Sequence, residues 1–275
     1  MSTINVGNVN TNSVNGGQLA GFRNKIINGN FALNQRGYSS ASTLSSGTYA
    51  HDRWKAGASG GDYSFTQSAN GCTITIAAGK TLIQVIEDAN IEGGTYVLSW
   101  SGTAQARYGV DSATPSGSYA DSPITITGQS ASTTMSVEFD DGTLSNVQLE
   151  LGSTATTFEQ RGIGTELALC QRYYQKLNSL SGGNVGFGYG ICYSTTSCFA
   201  YVKYAGPMRA APTISQSNTG LNDGTVKATT ALSSASYGDN SLAVIISVAS
   251  GLTVGRGAVF CGNSTSAYID LAAEL

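Results

Sequence analysis

The sequence predicts an all-β fold in which one short helix joins two β-domains. Short segments of alternating apolar and polar residues, separated by Gly, Asn, Ser and Asp, recur on both sides of residue 165. Near residue 165 the apolar spacing changes to three and four residues, which is typical of a helix. We therefore expect a β-domain, a helix and a second, smaller β-domain.

Residues 1–22 are polar and rich in asparagine. Their weak apolar alternation at Ile4, Val6 and Val9 supplies too few side chains to pack a core. Two interpretations stay open: a loose terminus, or an arm that docks onto a larger assembly.

Residues 23–161 form the first predicted β-domain. Alternation is clearest at 73–76 and 136–139, and seven strands at such spacing predict a sandwich or a barrel. The expected strands are 63–67, 72–77, 82–87, 95–101, 124–127, 135–139 and 147–151.

Residues 162–183 are predicted to be a linker with a short helix. Thr165 can cap it, and the glycines at 182–183 end it. One apolar stripe follows the helix: Leu167, Cys170, Tyr174 and Leu177. Because about 14 residues are marginal as an isolated helix, the stripe must be buried. Two partners stay open, the chain's own β-domain or the threefold axis of a homotrimer.

Residues 184–275 form the second predicted β-domain, with turns at 222–224 and 238–240. The expected strands are 186–193, 198–204, 225–231, 243–250, 258–261 and 267–271.

Charge and hydropathy exclude several classes of partner. The chain has 14 basic and 17 acidic side chains, a net charge of -3, which disfavours nucleic acid as a partner. The longest apolar stretch, 242–249, is far shorter than a membrane span, so we expect no membrane insertion. The N-terminus lacks the pattern of a secretory signal.

The five cysteines include no CxxC pair, and the single His51 cannot complete a zinc site with them. We expect reduced, mostly buried thiols and no cofactor. A bridge between Cys192 and Cys198 stays open.

Catalytic groups are sparse. A hydrolase triad would have to use His51 with Asp52. A glycosidase needs two carboxylates, and the candidates, mostly at strand ends where solvated acids are expected, are Asp62, Glu87, Asp88, Glu92, Asp140 and Asp141. We therefore expect no catalytic residue and no enzyme activity.

A sugar-binding site needs no catalytic group. An aromatic ring that covers the apolar side of a pyranose and short polar groups that bind its hydroxyls are sufficient. The candidates in the first domain are Tyr63, Trp100 and Tyr108. Those in the second are Tyr193, Tyr201, Tyr204 and Tyr237. For each of them, packing inside the protein is the alternative.

Several segments resemble bacteriophage tail-fibre and receptor-binding proteins, in the same order along the chain. They are 23–31, 35–37, 49–54, 144–152, 155–161, 166–174, 208–213 and 272–275. The resemblance covers nearly everything after residue 22.

The opening Asn28-Gly29-Asn30-Phe31 and the closing strand 147–150 are also similar to jelly-roll carbohydrate-binding modules, whose two ends lie together. This resemblance implies a closed jelly-roll sandwich, with Trp54 as a core anchor and Arg53 paired with Glu150 or Glu159. Some of these modules hold a structural calcium, for which Asp140 and Asp141 are the candidates here.

The resemblance implies a non-enzymatic, homotrimeric virion protein, assembled in the host cytoplasm. Residues 1–22 would attach it to other virion proteins, and the β-domains, most of all 184–275, would contact a host-surface polysaccharide. Two alternatives stay open: a capsid fibre or head decoration protein, and a polysaccharide depolymerase.

Overall fold

The computed structural model describes residues 21–179 and 185–275, and the regular secondary structure within them is almost entirely antiparallel strands. The predicted all-β class is confirmed. Most of the predicted N-terminal arm, residues 1–20, lies outside the described residues. By internal contacts the chain divides into two compact units, the first ending at Glu166 and the second beginning at Leu167.

The first unit contains two five-stranded sheets. One has the order β1-β4-β9-β6-β7, and the other β2-β3-β10-β5-β8. The strands are β1 Lys55–Ala56, β2 Tyr63–Phe65, β3 Ile74–Ile76, β4 Leu82–Ile86, β5 Gly94–Gly102, β6 Ala106–Gly109, β7 Ser116–Ala120, β8 Ile124–Gln129, β9 Met135–Phe139 and β10 Gly142–Leu151. A short 3-10 helix, Asp88–Asn90, follows β4.

One apolar core lies between these two sheets, because alternate residues of strands in both sheets are buried in a single cluster. Trp54 is fully buried there, as the resemblance implies. Its ring stacks on Phe31 at 4.9 Å and its indole N–H donates to the carbonyl of Asn28. A hydrogen-bonded aromatic of this size anchors the core.

The beginning and the end of the first unit are joined along β10. The Lys25 amide donates to the Leu149 carbonyl at 2.7 Å, and the Asn24 side chain accepts from the Leu149 amide at 3.0 Å. The Arg23 guanidinium lies 3.3 Å from the Glu150 carboxylate. The Arg53 guanidinium, for which the resemblance implies an acid such as Glu150 or Glu159 as partner, donates to the Val85 carbonyl.

The helix α1 spans Ile163–Gln171, nine residues, and is shorter than predicted. Tyr174 and Leu177, predicted on its stripe, lie instead in strand β11, Tyr174–Asn178. Tyr174 is buried and donates its hydroxyl to Asp270 at 2.5 Å, and Leu177 packs on the core of the second unit. Cys170 is also buried and Leu167 is half-buried, so most of the stripe is covered within one chain.

No helix in the described residues has the length and apolar character to cross a membrane.

The second unit combines a three-stranded sheet, β11-β19-β14, with a closed six-stranded barrel, β12-β13-β17-β16-β15-β18. The strands after β11 are β12 Gly186–Cys192, β13 Ser197–Lys203, β14 Thr213–Ser217, β15 Thr219–Asn222, β16 Val226–Tyr237, β17 Ser241–Val248, β18 Gly257–Gly262 and β19 Tyr268–Ala272. Both predicted turns are confirmed, since they join β15 to β16 and β16 to β17.

Candidate functional site

The outer surface of barrel strands β12 and β13 carries a row of exposed aromatic and aliphatic side chains. Along each strand, inward and outward side chains alternate, and the inward ones, such as Ala200 and Val202, are buried. The outward ones are 52% to 70% exposed, apart from a half-buried Phe199. We call this set the aromatic face: Tyr189, Ile191, Tyr193, Phe199 and Tyr201.

The register of the two strands makes the aromatic face continuous. Tyr189 lies directly opposite Tyr201, and Ile191 lies opposite Phe199. Directly opposed side chains in antiparallel strands are in contact range, and the rings of Phe199 and Tyr201 meet edge to face at 5.4 Å. The result is a continuous apolar surface on the outside of the barrel.

Two glycines of β12 allow this pairing. A Cβ atom at Gly188 would lie 2.2 Å from the Tyr201 carbonyl oxygen, and one at Gly190 would lie 2.0 Å from the Phe199 oxygen. Such distances are far inside van der Waals contact, so the backbones approach too closely for side chains at these positions. The glycines thus hold β12 against β13 while Tyr189, between them, points outward.

The tyrosine hydroxyls of the aromatic face are free. Within the part of the chain that the structure describes, those of Tyr189, Tyr193 and Tyr201 have no hydrogen-bond partner. A free phenol offers one donor and one acceptor beside its apolar ring. The face therefore combines apolar area with unused polar groups.

Two of the four tyrosines predicted for sugar contact in the second unit, Tyr193 and Tyr201, lie on the aromatic face. The other two do not. Tyr204 is buried and donates its hydroxyl to the Gly238 carbonyl, and Tyr237 donates to the Met208 carbonyl at 2.9 Å. Their rings are nearly parallel, 6.5 Å apart. These two tyrosines brace neighbouring turns.

Of the three residues predicted for sugar contact in the first unit, Tyr63 and Trp100 lie in its core and Tyr108 packs against that core. Trp100 is 8% exposed, with its indole N–H bonded to the Ala104 carbonyl, and Tyr63 is 1% exposed. Tyr108 is partly buried against the same cluster. Their rings are used in packing, which is the alternative that the sequence left open.

The sugar-binding prediction missed three residues of the aromatic face, Tyr189, Ile191 and Phe199, of which Tyr189 is the most exposed. A signal was present, since Gly188-Tyr189-Gly190 places a large aromatic residue between two residues that cannot fill a core. In a strand, such a tyrosine is the outward one whenever the glycines lie at a close backbone approach.

The first unit has a cleft of about 430 Å³. The Arg161 guanidinium lies in it, 3.1 Å from the Glu166 carboxylate and 3.9 Å from that of Glu159. Glu159 also accepts the amide of Asn24 at 2.8 Å. These buried charges are used to fix the first residues of the sandwich against 159–166, so we assign the cleft a structural role.

His51 does not form a catalytic triad with Asp52. It is fully buried, its Nδ1 lies 2.5 Å from the Tyr63 hydroxyl and its Nε2 lies 2.9 Å from the Gln67 amide oxygen. Burial lowers the pKa of His51 to about 4, against 6.5 in water, although the bond to Gln67 opposes the shift. A neutral imidazole bonded on both sides is a core group.

The carboxylates proposed for calcium do not converge. Asp140 accepts the Gln105 amide at 2.6 Å, and Asp141 accepts the Gly79 amide at 3.3 Å. In residues 21–179 and 185–275 no group of three His, Cys, Asp or Glu side chains is placed to hold a metal ion. The residues present do not fit the calcium that the resemblance implies.

Cys192 and Cys198 lie directly opposite each other on β12 and β13, with both thiols buried in the barrel. They are free thiols. Burial raises the pKa of both, that of Cys198 to about 12. Such thiols are poor nucleophiles.

No protein-family model, curated protein or solved structure matches this chain. Nothing in these comparisons links it to tail-fibre proteins.

Proposed function

We propose that the protein is a non-enzymatic adhesive protein of a bacteriophage particle, a tail fibre or receptor-binding protein that binds host-surface polysaccharide through the aromatic face. The observation that carries the proposal is the exposed pair Tyr189 and Tyr201, directly opposed across β12 and β13, whose hydroxyls make no hydrogen bond to the described residues.

The chemistry of this surface suits a sugar ring. A pyranose has apolar C–H patches that pack on aromatic faces, and its hydroxyls exchange hydrogen bonds with phenols. The neighbouring Ile191 and Tyr193 extend the apolar area, so that more than one sugar unit has a contact. A surface on the outside of a barrel suits adhesion to a long polymer more than the enclosure of a substrate for cleavage.

The virion location rests on the resemblance of 23–31, 49–54 and the later segments. Within it we propose a jelly-roll topology for the first unit, supported by two antiparallel sheets with one core and by the pairing of residue 25 with Leu149. We also propose a homotrimer, attached to other virion proteins by residues 1–22.

The test of glycan binding is a double variant, Tyr189→Ala with Tyr201→Ala, measured against purified host-surface polysaccharide by calorimetry. Each lost ring contact is worth about 1 kcal/mol, so we expect affinity to fall about 25-fold. Val254→Ala is the matched control, because Val254 is 60% exposed in a turn. Wild-type affinity in the double variant would show that the aromatic face is not the binding surface.

A further inference from the structure

Three connections meet at one end of the barrel, because neighbouring strands of the barrel are antiparallel. They are the hairpin loop 193–196, the turn 223–225 and the loop 249–256, and the Leu252 amide joins two of them by donating to the Thr195 carbonyl at 3.0 Å. A cleft of about 280 Å³ lies at this end. We call it the basic cleft, and its lining includes Asp223, Gly224, Thr225, Lys227, Thr253 and Arg256.

The Arg256 guanidinium lies in the basic cleft with its donors unused. Among the described residues this exposed side chain forms no ion pair and no hydrogen bond. It lies against Gly224, where a Cβ atom would be 2.9 Å and 3.0 Å from its two terminal nitrogens. Gly224 has a φ of 127°, which other residues rarely adopt. The turn thus leaves room for a guanidinium that offers five N–H donors.

The other two charges of the basic cleft neutralise each other. Asp223 is buried, with one carboxylate oxygen bonded to the Lys227 ammonium and the other to the Thr253 amide at 2.9 Å. The bond from Lys227 lowers the pKa of the Asp223 carboxyl, so this group stays charged at neutral pH. The charge left over in the cleft is therefore the single positive charge of Arg256.

Two hydroxyls add donors beside this charge. The Thr225 hydroxyl accepts from the Lys227 ammonium at 3.0 Å, so its own hydrogen is left to donate. Within 21–179 and 185–275 the Thr253 hydroxyl has no hydrogen-bond partner. A cleft with one net positive charge and several unused donors is complementary to an anion with exposed oxygens.

We propose that the basic cleft binds the carboxylate of an acidic sugar in the host-surface polysaccharide. This inference rests on the proposed function, because it names the chemical class of the same polysaccharide. A carboxylate is planar and carries one charge, which matches both the fork of a guanidinium and the net charge of the cleft.

The aromatic face leads to the basic cleft. Along β12 its side chains run from Tyr189 through Ile191 to Tyr193, toward the end of the barrel where the cleft lies. The residue before Tyr193, Cys192, donates its amide to the Arg256 carbonyl at 2.9 Å. A polysaccharide whose sugar rings lie on the aromatic face therefore brings its next units to Arg256.

Protection from chemical modification tests the cleft in the wild-type protein. Phenylglyoxal modifies accessible guanidinium groups, and mass spectrometry of peptides gives the rate at Arg256. Sodium glucuronate should slow this modification, whereas glucose at the same concentration should leave the rate unchanged. Equal rates with glucuronate and glucose would overturn the proposal. Stronger protection by inorganic phosphate than by glucuronate would overturn the assignment to a carboxylate.

Calorimetry with the purified host-surface polysaccharide tests the role of Arg256 in binding. Arg256→Gln loses charge-assisted hydrogen bonds to the carboxylate, so its affinity should fall about tenfold. Lys176→Gln is the matched control, because it removes the same charge from the second unit at a side chain that lies over the Tyr268 ring, outside the cleft. Chemical reduction of the polysaccharide's carboxylates to alcohols should weaken binding by wild type to the same extent and leave that by Arg256→Gln unchanged.

The outcomes separate this inference from the proposed function. Wild-type affinity in Arg256→Gln, or an equal loss in Lys176→Gln, would overturn the acidic-sugar site, while a loss in the variant of Tyr189 and Tyr201 would still support the aromatic face. A loss in Arg256→Gln with wild-type affinity in the tyrosine variant would contradict the aromatic face alone. Wild-type affinity in both would contradict both proposals.

Discussion

The two units of the molecule use similar aromatic residues in opposite ways. In the first unit Tyr63, Trp54 and Trp100 lie inside, with their polar atoms bonded within the chain. In the second, Tyr189 and Tyr201 lie outside, and within 21–179 and 185–275 their hydroxyls have no hydrogen-bond partner. The composition of a strand therefore does not decide whether an aromatic residue packs inside the protein or faces the solvent. The inward or outward position in the register decides it.

The largest effect that this comparison predicts is for Trp54→Ala. Removal of a fully buried tryptophan leaves a cavity, so the free energy of unfolding of the first unit should fall by about 4 kcal/mol. Urea denaturation followed by the fluorescence of Trp100 measures it, since both tryptophans lie in this unit. Leu151→Ala is the control, because Leu151 is 53% exposed in the same unit and its loss should change stability by less than about 0.5 kcal/mol. A Trp54→Ala protein within 1 kcal/mol of wild type would contradict the assignment of an anchor.

The next effect concerns the buried His51 and its pH dependence. Its pKa is lowered from 6.5 to about 4 in the folded chain, so the unfolded chain binds more protons between these values. The contribution of neutral His51 to the free energy of unfolding is therefore complete above pH 6.5. About 3 kcal/mol of it is lost as the pH falls to 4.

The measurement is urea denaturation of wild type and of His51→Gln at pH 7, 5.5 and 4. Glutamine keeps a polar group near Tyr63 and Gln67 but does not titrate in this range. Wild type should lose about 3 kcal/mol more than the variant over the series. If the free energy of unfolding fell equally in the two proteins, His51 would not be held neutral in the folded chain.

The smallest effect is expected for Tyr189→Ala on stability. Because the side chain is 70% exposed, its removal should change the free energy of unfolding of the barrel by less than about 0.5 kcal/mol. Thermal unfolding followed by circular dichroism measures it, with Val244→Ala, a fully buried barrel residue, as the contrasting variant. Destabilisation by Tyr189→Ala as large as that by Val244→Ala would make Tyr189 a packing residue, like those of the first unit.

The sequence predicts most of this fold, because alternation is strong where a strand has one buried face. The segment 135–139 has the bounds of β9, and the other predicted strands overlap real ones. Strands β6 and β7 were missed, since Ala106–Gly109 and Ser116–Ala120 carry little apolar alternation. Their place in the sheet is decided by pairing with β9 and with each other, which is a long-range effect.

The predicted helix was longer than the real one for a related reason. Spacings of three and four from Leu167 through Cys170 to Tyr174 fit one helix face, but they equally fit a helix that ends at Gln171 before a strand. Tyr173 and Tyr174 favour strands, and the pairing of β11 with β19 decides the outcome. The candidate site could be predicted only in part. The sequence does not show that Tyr201, within β13, points outward while Tyr204, just after its end, is buried.

Because β12 and β13 approach closely at two glycines, the aromatic face can accept amino-acid substitutions during evolution. The residues that keep the strands together, Gly188 and Gly190, are not the residues that face the solvent. Substitutions at 189, 191, 193 and 201 therefore alter the outer chemistry while the barrel keeps its geometry. A fold divided in this way can acquire a new ligand preference by single mutations, without first acquiring a surplus of stability.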